Sequence, residues 1–187
     1  GIPLGVLLFV TDRGQIDESP LANRLLGVIV NILRSIPFVI LLIVMIPLTL
    51  LIMGTSLGVE GAVPPLVAGA APFYARLVET ALREVPRSTI EAAQAMGATR
   101  IQIVRKVLLP EALPGLISGA TVTAIALVSF TAMAGVVGAG GLGDLAIRYG
   151  YQRFQADVML VTVVLLVLLV QSIQWSGDWF ARRIDHR

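Results

Sequence analysis

The sequence predicts an all-α, polytopic membrane helix bundle, and three observations predict it. Hydrophobic residues fill 56% of the 187 positions and charged residues only 14%, where a soluble domain carries roughly a quarter charged. Several apolar runs are long enough to cross the roughly 30 Å hydrocarbon layer as helix. Between two of those runs lies a polar interlude, residues 86–110, with helix-capping patterns at two places. The composition also excludes chemistry. There is no cysteine, so no disulfide or thiolate metal site. The one histidine, His186, is next to last, which removes a Ser-His-Asp triad and leaves a His-based metal site without a second such ligand.

The elements follow in order within a single transmembrane domain, 1–187. Residues 1–10 are apolar but too few to cross, and read as the end of a first helix. Thr11 to Asn23 is polar and turn-rich. Residues 25–52 form the first full span, in which Pro37 and Pro47 are expected as kinks that neighbouring helices accommodate. Gly54 to Gly61 connects it to a second span, 62–84, which carries Pro64, Pro65, Pro72, Arg76 and Glu79. The polar interlude follows, then a third span, 113–137, a polar glycine-rich loop from Gly138 to Asp157, and a fourth span, 158–175. Trp175 and Trp179 suit an interfacial belt, and Arg182, Arg183 and Arg187 finish the tail.

Parity then orients the chain. With four full spans, the interlude, the 11–24 loop and the C-terminus share one side. Every Lys and Arg except Arg148 and Arg153 lies on or nearer that side, and the positive-inside rule makes it cytoplasmic.

Within the interlude, Pro86 closes the preceding helix. Ser88-Thr89-Ile90-Glu91 reads as a capping box in which the Ser88 hydroxyl takes one orphan N–H and Glu91 reaches back to another. A short helix then runs from near Thr89 to Gly97, whose missing side chain suits a left-handed end. About eight residues give roughly 12 Å, so it lies on the surface. Thr99-Arg100-Ile101-Gln102 repeats the pattern and starts a second helix, which Pro110 is expected to limit. Ala92, Ala93 and Gly97 would put small side chains on an otherwise spare surface and let the helix sit deep in a partner's cleft. The flanking Arg87, Arg100, Arg105 and Lys106 suit anionic lipid as well.

Other features carry alternatives. Arg76, Glu79 and Arg83 have helical spacing and can neutralise one another, or serve as an ion relay. Gly138-Ala139-Gly140-Gly141-Leu142-Gly143 matches the dinucleotide fingerprint, but that motif needs a preceding strand and here follows a membrane helix, so a compact surface loop is expected. Gly115, Gly119 and Thr123 recur every four residues, as close helix packing requires. Ser129, Phe130, Thr131 and Met133 further along could line a path, Met133 through its adaptable thioether, or could simply pack. No G-x-x-x-x-G-K-[ST] pattern is present, so nucleotide chemistry would belong to another chain.

Glu91, Ala92, Ala93, Gly97, Val107, Leu109 and Pro110 stand at the spacing E-A-A, three residues, G, nine residues, I-x-L-P, with only Val107 departing. This resembles the signature of type I permease subunits of ABC importers. The resemblance implies a five-helix permease core, its first helix present only as its end. It also implies a cytoplasmic coupling helix docked in a groove of the ATP-binding subunit, with Ser88, Glu91, Ala92, Ala93, Gly97, Leu109 and Pro110 as ATPase-coupling residues. Arg34-Ser35-Ile36-Pro37-Phe38, Ala71-Pro72-Phe73-Tyr74-Ala75-Arg76 and the run Arg105 to Gly115 are most similar to the subgroup importing methionine. Implied with it are a homodimer forming the path, two copies of the ATPase subunit, an extracytoplasmic substrate-binding protein delivering D- or L-methionine, surrounding membrane lipid, and a place in the bacterial inner membrane. No cofactor, no catalysis by this chain and no nucleic-acid partner is expected. The alternatives are an ABC permease for glycine betaine or another small osmolyte or amino acid, and an ion-coupled secondary transporter using Arg76 and Glu79. A membrane hydrolase lacks the necessary histidine or carboxylate pair in any span.

Overall fold

The computed structural model describes residues 1–135 and 138–184; His186, Arg187 and the last two residues of the 113–137 span lie outside them. Every regular element among the described residues is helical. Helix α1 covers Ile2–Val10, and α2 Pro20–Ser35, opening on a proline that costs no needed N–H there. The run 25–52 is not one kinked helix. It is divided among α2, α3 (Phe38–Val44) and α4 (Ile46–Met53), because its prolines act as helix starts. Pro37 is the extended N-cap of α3, with ψ 136°, and Pro47 sits in the first turn of α4. Gly54, left-handed at φ +74°, ends α4.

Helix α5, Gly58–Arg83, begins earlier than expected and absorbs Pro64, Pro65 and Pro72. Next come α6 (Arg87–Ala95), α7 (Arg100–Ile103), a π turn at Val104–Leu108, α8 (Leu109–Glu111) and α9 (Leu113–Ala134). The glycine-rich segment after α9 is mostly helix rather than loop: α10 covers Gly141–Leu145 and a second π turn Ala146–Tyr151, before α11, Ala156–Ile184. Among the described residues, only α9 and α11 are individually long and apolar enough to cross a membrane; α2 with α3, and α4 with α5, reach that standard as bent pairs.

The chain forms two compact units. The first comprises Gly1–Leu33, Ala71–Thr121 and Ser176–Arg187. Its main core joins Phe9, Val78, Leu82, Ile90, Ile103 and Leu108, and a smaller cluster joins Leu8, Val30 and Ala75. Small residues set its helix spacing. A Cβ on Gly5 would lie 2.5 Å from the Ala75 carbonyl, one on Gly115 2.8 Å from Ala81 Cβ, and one on Gly119 3.1 Å from Leu77. The four-residue small-residue repeat is thus packing surface for α5. Asn23 donates to the Leu8 carbonyl at 2.6 Å and to the Thr11 hydroxyl at 3.2 Å, closing the end of α1.

The second unit comprises Arg34–Ala70 and Val122–Trp175. Phe38 and Phe130 stack at 4.6 Å and 8° above Gly69, with Leu42, Ala62 and Ala134 around them. Gly143 lets α10 rest on α9, since a Cβ there would fall 2.2 Å from Ala132 Cα.

A Cβ on Gly177 would collide with the Thr121 side chain, whose Oγ1 lies 2.0 Å from that position. Gly177→Ala should therefore lower stability by about 1–3 kcal/mol, the usual cost of overpacking. At Gly27 an added carbon would meet nothing closer than the Arg76 guanidinium at 3.5 Å, and Gly27→Ala should be tolerated. Thermal unfolding in detergent separates the two.

Candidate functional site

The polar interlude is a two-helix knuckle seated on the first unit's core. Helix α6 begins at Arg87, two residues before the capping pattern requires. Pro86 is its N-cap, extended at ψ 131°, and no side chain caps it. The expected Ser88–Glu91 capping box is therefore absent: Ser88 is exposed inside the first turn, and Glu91 pairs with Arg87 at 3.5 Å on the surface. What sets the start is hydrophobic. Val85, just before the cap, and Ile90, in the fourth helical position, are both buried in one cluster, the arrangement of a hydrophobic staple.

The other end matches expectation. Gly97 is left-handed at φ +77°; its N–H donates to the Gln94 carbonyl at 2.9 Å, and the Ala98 N–H to that of Ala93 at 3.1 Å. This is a Schellman closure, which satisfies the last carbonyls of α6. Thr99 caps α7 with both arms of a capping box. Its hydroxyl accepts from the Gln102 N–H at 3.4 Å, and the Gln102 side chain accepts from the Thr99 N–H at 2.8 Å.

Pro110 does not limit this second helix. The π turn places the Leu109 N–H on the Val104 carbonyl, five residues back; this wider turn relieves the clash a proline ring causes in an α-helix. The chain continues to Glu111 and bends at Ala112, ψ −2°, where α9 takes over.

The residues singled out in the sequence divide between two faces. Ser88, Glu91, Ala92, Gly97 and Pro110 are exposed, and a Cβ on Gly97 would meet nothing within 4 Å. Ala93, expected on the open surface, is buried at 3% exposure, and Leu109 packs half-buried on the same cluster. These two hold the knuckle to the core. Met96 and Ile101, 81% and 70% exposed, are the large apolar side chains that the sequence reading missed. The signal was present in phase: Ile90 and Ala93 mark the inner face of α6, and Met96 falls off it.

The 11–19 loop braces the knuckle. Asp17 pairs with Arg100, and Arg87 donates to the Gly14 carbonyl at 3.1 Å. Val10, Ile16, Ile101 and Val104 join the Asp17–Arg100 pair around a hollow of about 200 Å³. Asp12 bonds to Arg83 at 2.7 Å, and the Arg83 guanidinium, helped by the Arg13 N–H, holds its carboxyl below the usual range.

Arg83 also bonds to Glu79 at 2.7 Å, and Arg76 bonds to Glu79's other oxygen at 2.6 Å. Arg76 reaches Asn31 at 3.0 Å and the Gly27 carbonyl at 3.4 Å. With Glu79 6% exposed and both its oxygens engaged, the trio behaves as mutual neutralisation rather than a relay.

The three path candidates divide: Ser129 and Met133 stand one turn apart on α9 and are both exposed, while Phe130 is turned to other use. Phe130 is committed to the stack on Phe38. Ser129 lines an open groove of about 300 Å³ whose other walls are Val128, Ala132, Leu166, Val167, Val170 and Gln171. Met133 is 44% exposed. Thr131 bonds back to the Val128 carbonyl at 2.8 Å. The glycine fingerprint follows a helix and opens another, with no strand among the described residues.

Membrane-length apolar helices carrying a short knuckle with exposed apolar tips fit a transport permease subunit. Residues 1–186 match the family described as the binding-protein-dependent transport system inner membrane component, and the chain belongs to that family. It is 57% identical over 188 residues to the probable D-methionine transport system permease protein MetI of Vibrio cholerae, covering all of this chain and 83% of that one. It is 51% identical to the methionine import system permease protein MetP of Bacillus subtilis, over 97% of this chain and 82% of that protein. A crystal structure of inward-facing conformations of the MetNI methionine ABC transporter superposes with a TM-score of 0.98 at 56% identity, covering 100% of this chain and 86% of that chain.

Thr99→Ala should cost about 1 kcal/mol through loss of the cap, whereas Ser88→Ala, which removes no cap, should cost nothing measurable; unfolding in detergent reads both. Because Asp12's carboxyl is lowered, its pairing contributes stability above the ordinary carboxylate range near pH 4 and loses it as pH falls through the folded value. Asp12→Asn should therefore lower stability at neutral pH and flatten the acid limb of the stability profile.

Proposed function

We propose that this chain is the membrane-spanning subunit of an ATP-driven methionine importer. It works as a homodimer with two copies of an ATPase subunit and receives D- or L-methionine from an extracytoplasmic binding protein. The observation that carries the reading is the knuckle. Its inner face, Ile90, Ala93, Ile103 and Leu108, belongs to the core, while Met96 and Ile101 stand out beside an open, left-handed Gly97. Large apolar side chains on a rigid polar support are the usual anchors of a protein interface. The occupant is the ATPase subunit: no G-x-x-x-x-G-K-[ST] pattern stands in these 187 residues, and the similar solved structure is named as an ABC transporter. The names of the similar proteins, a probable D-methionine transport permease of Vibrio cholerae and a methionine import permease of Bacillus subtilis, support the substrate.

Charge supports the orientation. Only Arg34, Arg148 and Arg153 among the Lys and Arg residues lie in the second unit; all the others fall in the first, together with the knuckle, the 11–19 loop and the end of α11. Under the positive-inside rule that bias supports a cytoplasmic side for the first unit's loops. ATP-driven closure of the ATPase pair would move α6 and α7 as one body, because the Schellman turn and the Thr99 box leave little slack between them. Arg76 and Glu79 are then structural, which disfavours an ion-coupled route.

Met96→Asp should weaken docking of the ATPase subunit by about 2 kcal/mol or more, as for a central interface anchor, and Gly97→Trp should abolish ATP-dependent uptake with the chain still folded. Co-purification and methionine uptake in reconstituted vesicles check both. Undiminished uptake in Gly97→Trp would refute the docking role. Competition by glycine betaine in place of methionine would reassign the substrate and leave the docking role standing.

A further inference from the structure

Phe154 is the one non-glycine residue among those described with a left-handed backbone, φ +56°, and it is 89% exposed. It lies between the π turn Ala146–Tyr151 and α11. There the Phe154 N–H reaches the Tyr151 carbonyl at 3.4 Å and the Gln155 N–H that of Tyr149 at 3.3 Å. The turn closes a helix end in the manner that glycine performs without strain. A large ring sits there instead, with almost none of its surface covered by this chain.

The neighbours share the pattern. Residues 151–157 are all exposed, Tyr151 at 70%. The Arg153 guanidinium lies back over the Tyr149 ring, 4.5 Å from its centroid, which leaves Tyr151 and Phe154 as the apolar tip. Backbone strain beneath an uncovered aromatic residue points to a partner outside the chain.

The dimensions of α11 identify that partner. Its apolar window is only 6% buried within the chain, so its sides face lipid or another subunit along most of their length. At its far end stand Trp175, Trp179 and Phe180, all more than half exposed. From Phe154 to Trp175 is roughly 21 residues, or about 31 Å at the helical rise, close to the roughly 30 Å of a hydrocarbon core. Aromatic residues separated by that length match the two headgroup levels of one bilayer.

We propose that Phe154 and Tyr151 form an interfacial lipid anchor. The strained turn presents both rings to the headgroup–acyl boundary at the end of α11 opposite Trp175, with Arg153 at the level of the lipid phosphates. The chain's membership of an inner-membrane family is all this requires; it does not depend on the substrate or on the ATPase docking site.

The sequence contains no cysteine, so Phe154→Cys, Tyr151→Cys and Gln155→Cys can each carry a single nitroxide. They would be examined in the assembled transporter, its other subunits made cysteine-free, in phosphatidylethanolamine–phosphatidylglycerol vesicles. Power-saturation electron paramagnetic resonance should show oxygen favoured over a water-soluble nickel chelate at 154 and 151, at headgroup depth, and the chelate favoured at 155. The profile should stay the same when the binding protein is added. Chelate-dominated collisions at 154 and 151 would overturn the anchor. Labels shielded from both reagents, or shielded only when the binding protein is present, would overturn it in favour of a protein contact. If the cysteine variants fail to fold, Phe154→Trp with Trp175 and Trp179 replaced by Phe gives a second reading. Its emission should shift to shorter wavelength and be quenched more by acyl chains brominated near the headgroup than near the bilayer centre; equal or absent quenching overturns the proposal.

Discussion

The first unit depends on a single buried carboxylate. Glu79, 6% exposed, gives one oxygen to Arg76 and the other to Arg83. An unpaired charge there would cost several kcal/mol, so the acid compels both arginines into place. Arg76 in turn holds Asn31 and the Gly27 carbonyl on α2, and Arg83 holds Asp12 in the loop after α1. One residue on α5 thus fixes where two other segments lie against it. Those segments include the loop that braces the knuckle through Asp17–Arg100 and Arg87–Gly14. The ion network outside the candidate interface therefore helps to hold that interface still.

The proposed docking role asks for a lever that does not bend at its root. The knuckle meets that condition by burying its inner face: Ile90, Ala93, Ile103 and Leu108 share a cluster with Phe9 and Leu82. Its two helices are joined by a closed Schellman turn and a two-armed capping box, so few backbone polar groups between them are left to adopt other partners. The π turn that follows admits Pro110 without a break and carries the chain into α9 through Ala112. Force applied at Met96 or Ile101 would reach a membrane-length helix through hydrogen-bonded backbone.

Glycine serves two opposite purposes along this chain. Gly5, Gly115, Gly143 and Gly177 are places where another element passes so close that a methyl group would collide. Gly97 faces open space and is required by its φ alone. Both are written with the same letter. Only the first kind constrains packing, and only the second leaves a vacant surface for a partner. Phe154 shows the cost of the second kind when another residue fills it.

Composition, parity and the spacing of Glu91, Gly97 and Pro110 determined the all-helical membrane class, the charge-biased face and the position of the knuckle, because hydropathy, charge and left-handed turns act over a few residues. Thr99–Gln102 was legible for the same reason. Local rules also misled. Ser88–Glu91 has the letters of a capping box, but Val85 and Ile90 bury together and start the helix two residues sooner. Ala93 looked like open surface, but its face is the one that meets Phe9 and Leu82. Which side of α6 is core, which prolines begin helices and which are absorbed, and which distant acid answers Arg83 are all settled by contacts between segments far apart in the chain. Such contacts exist only once the tertiary structure has formed, and no short window of sequence contains both partners.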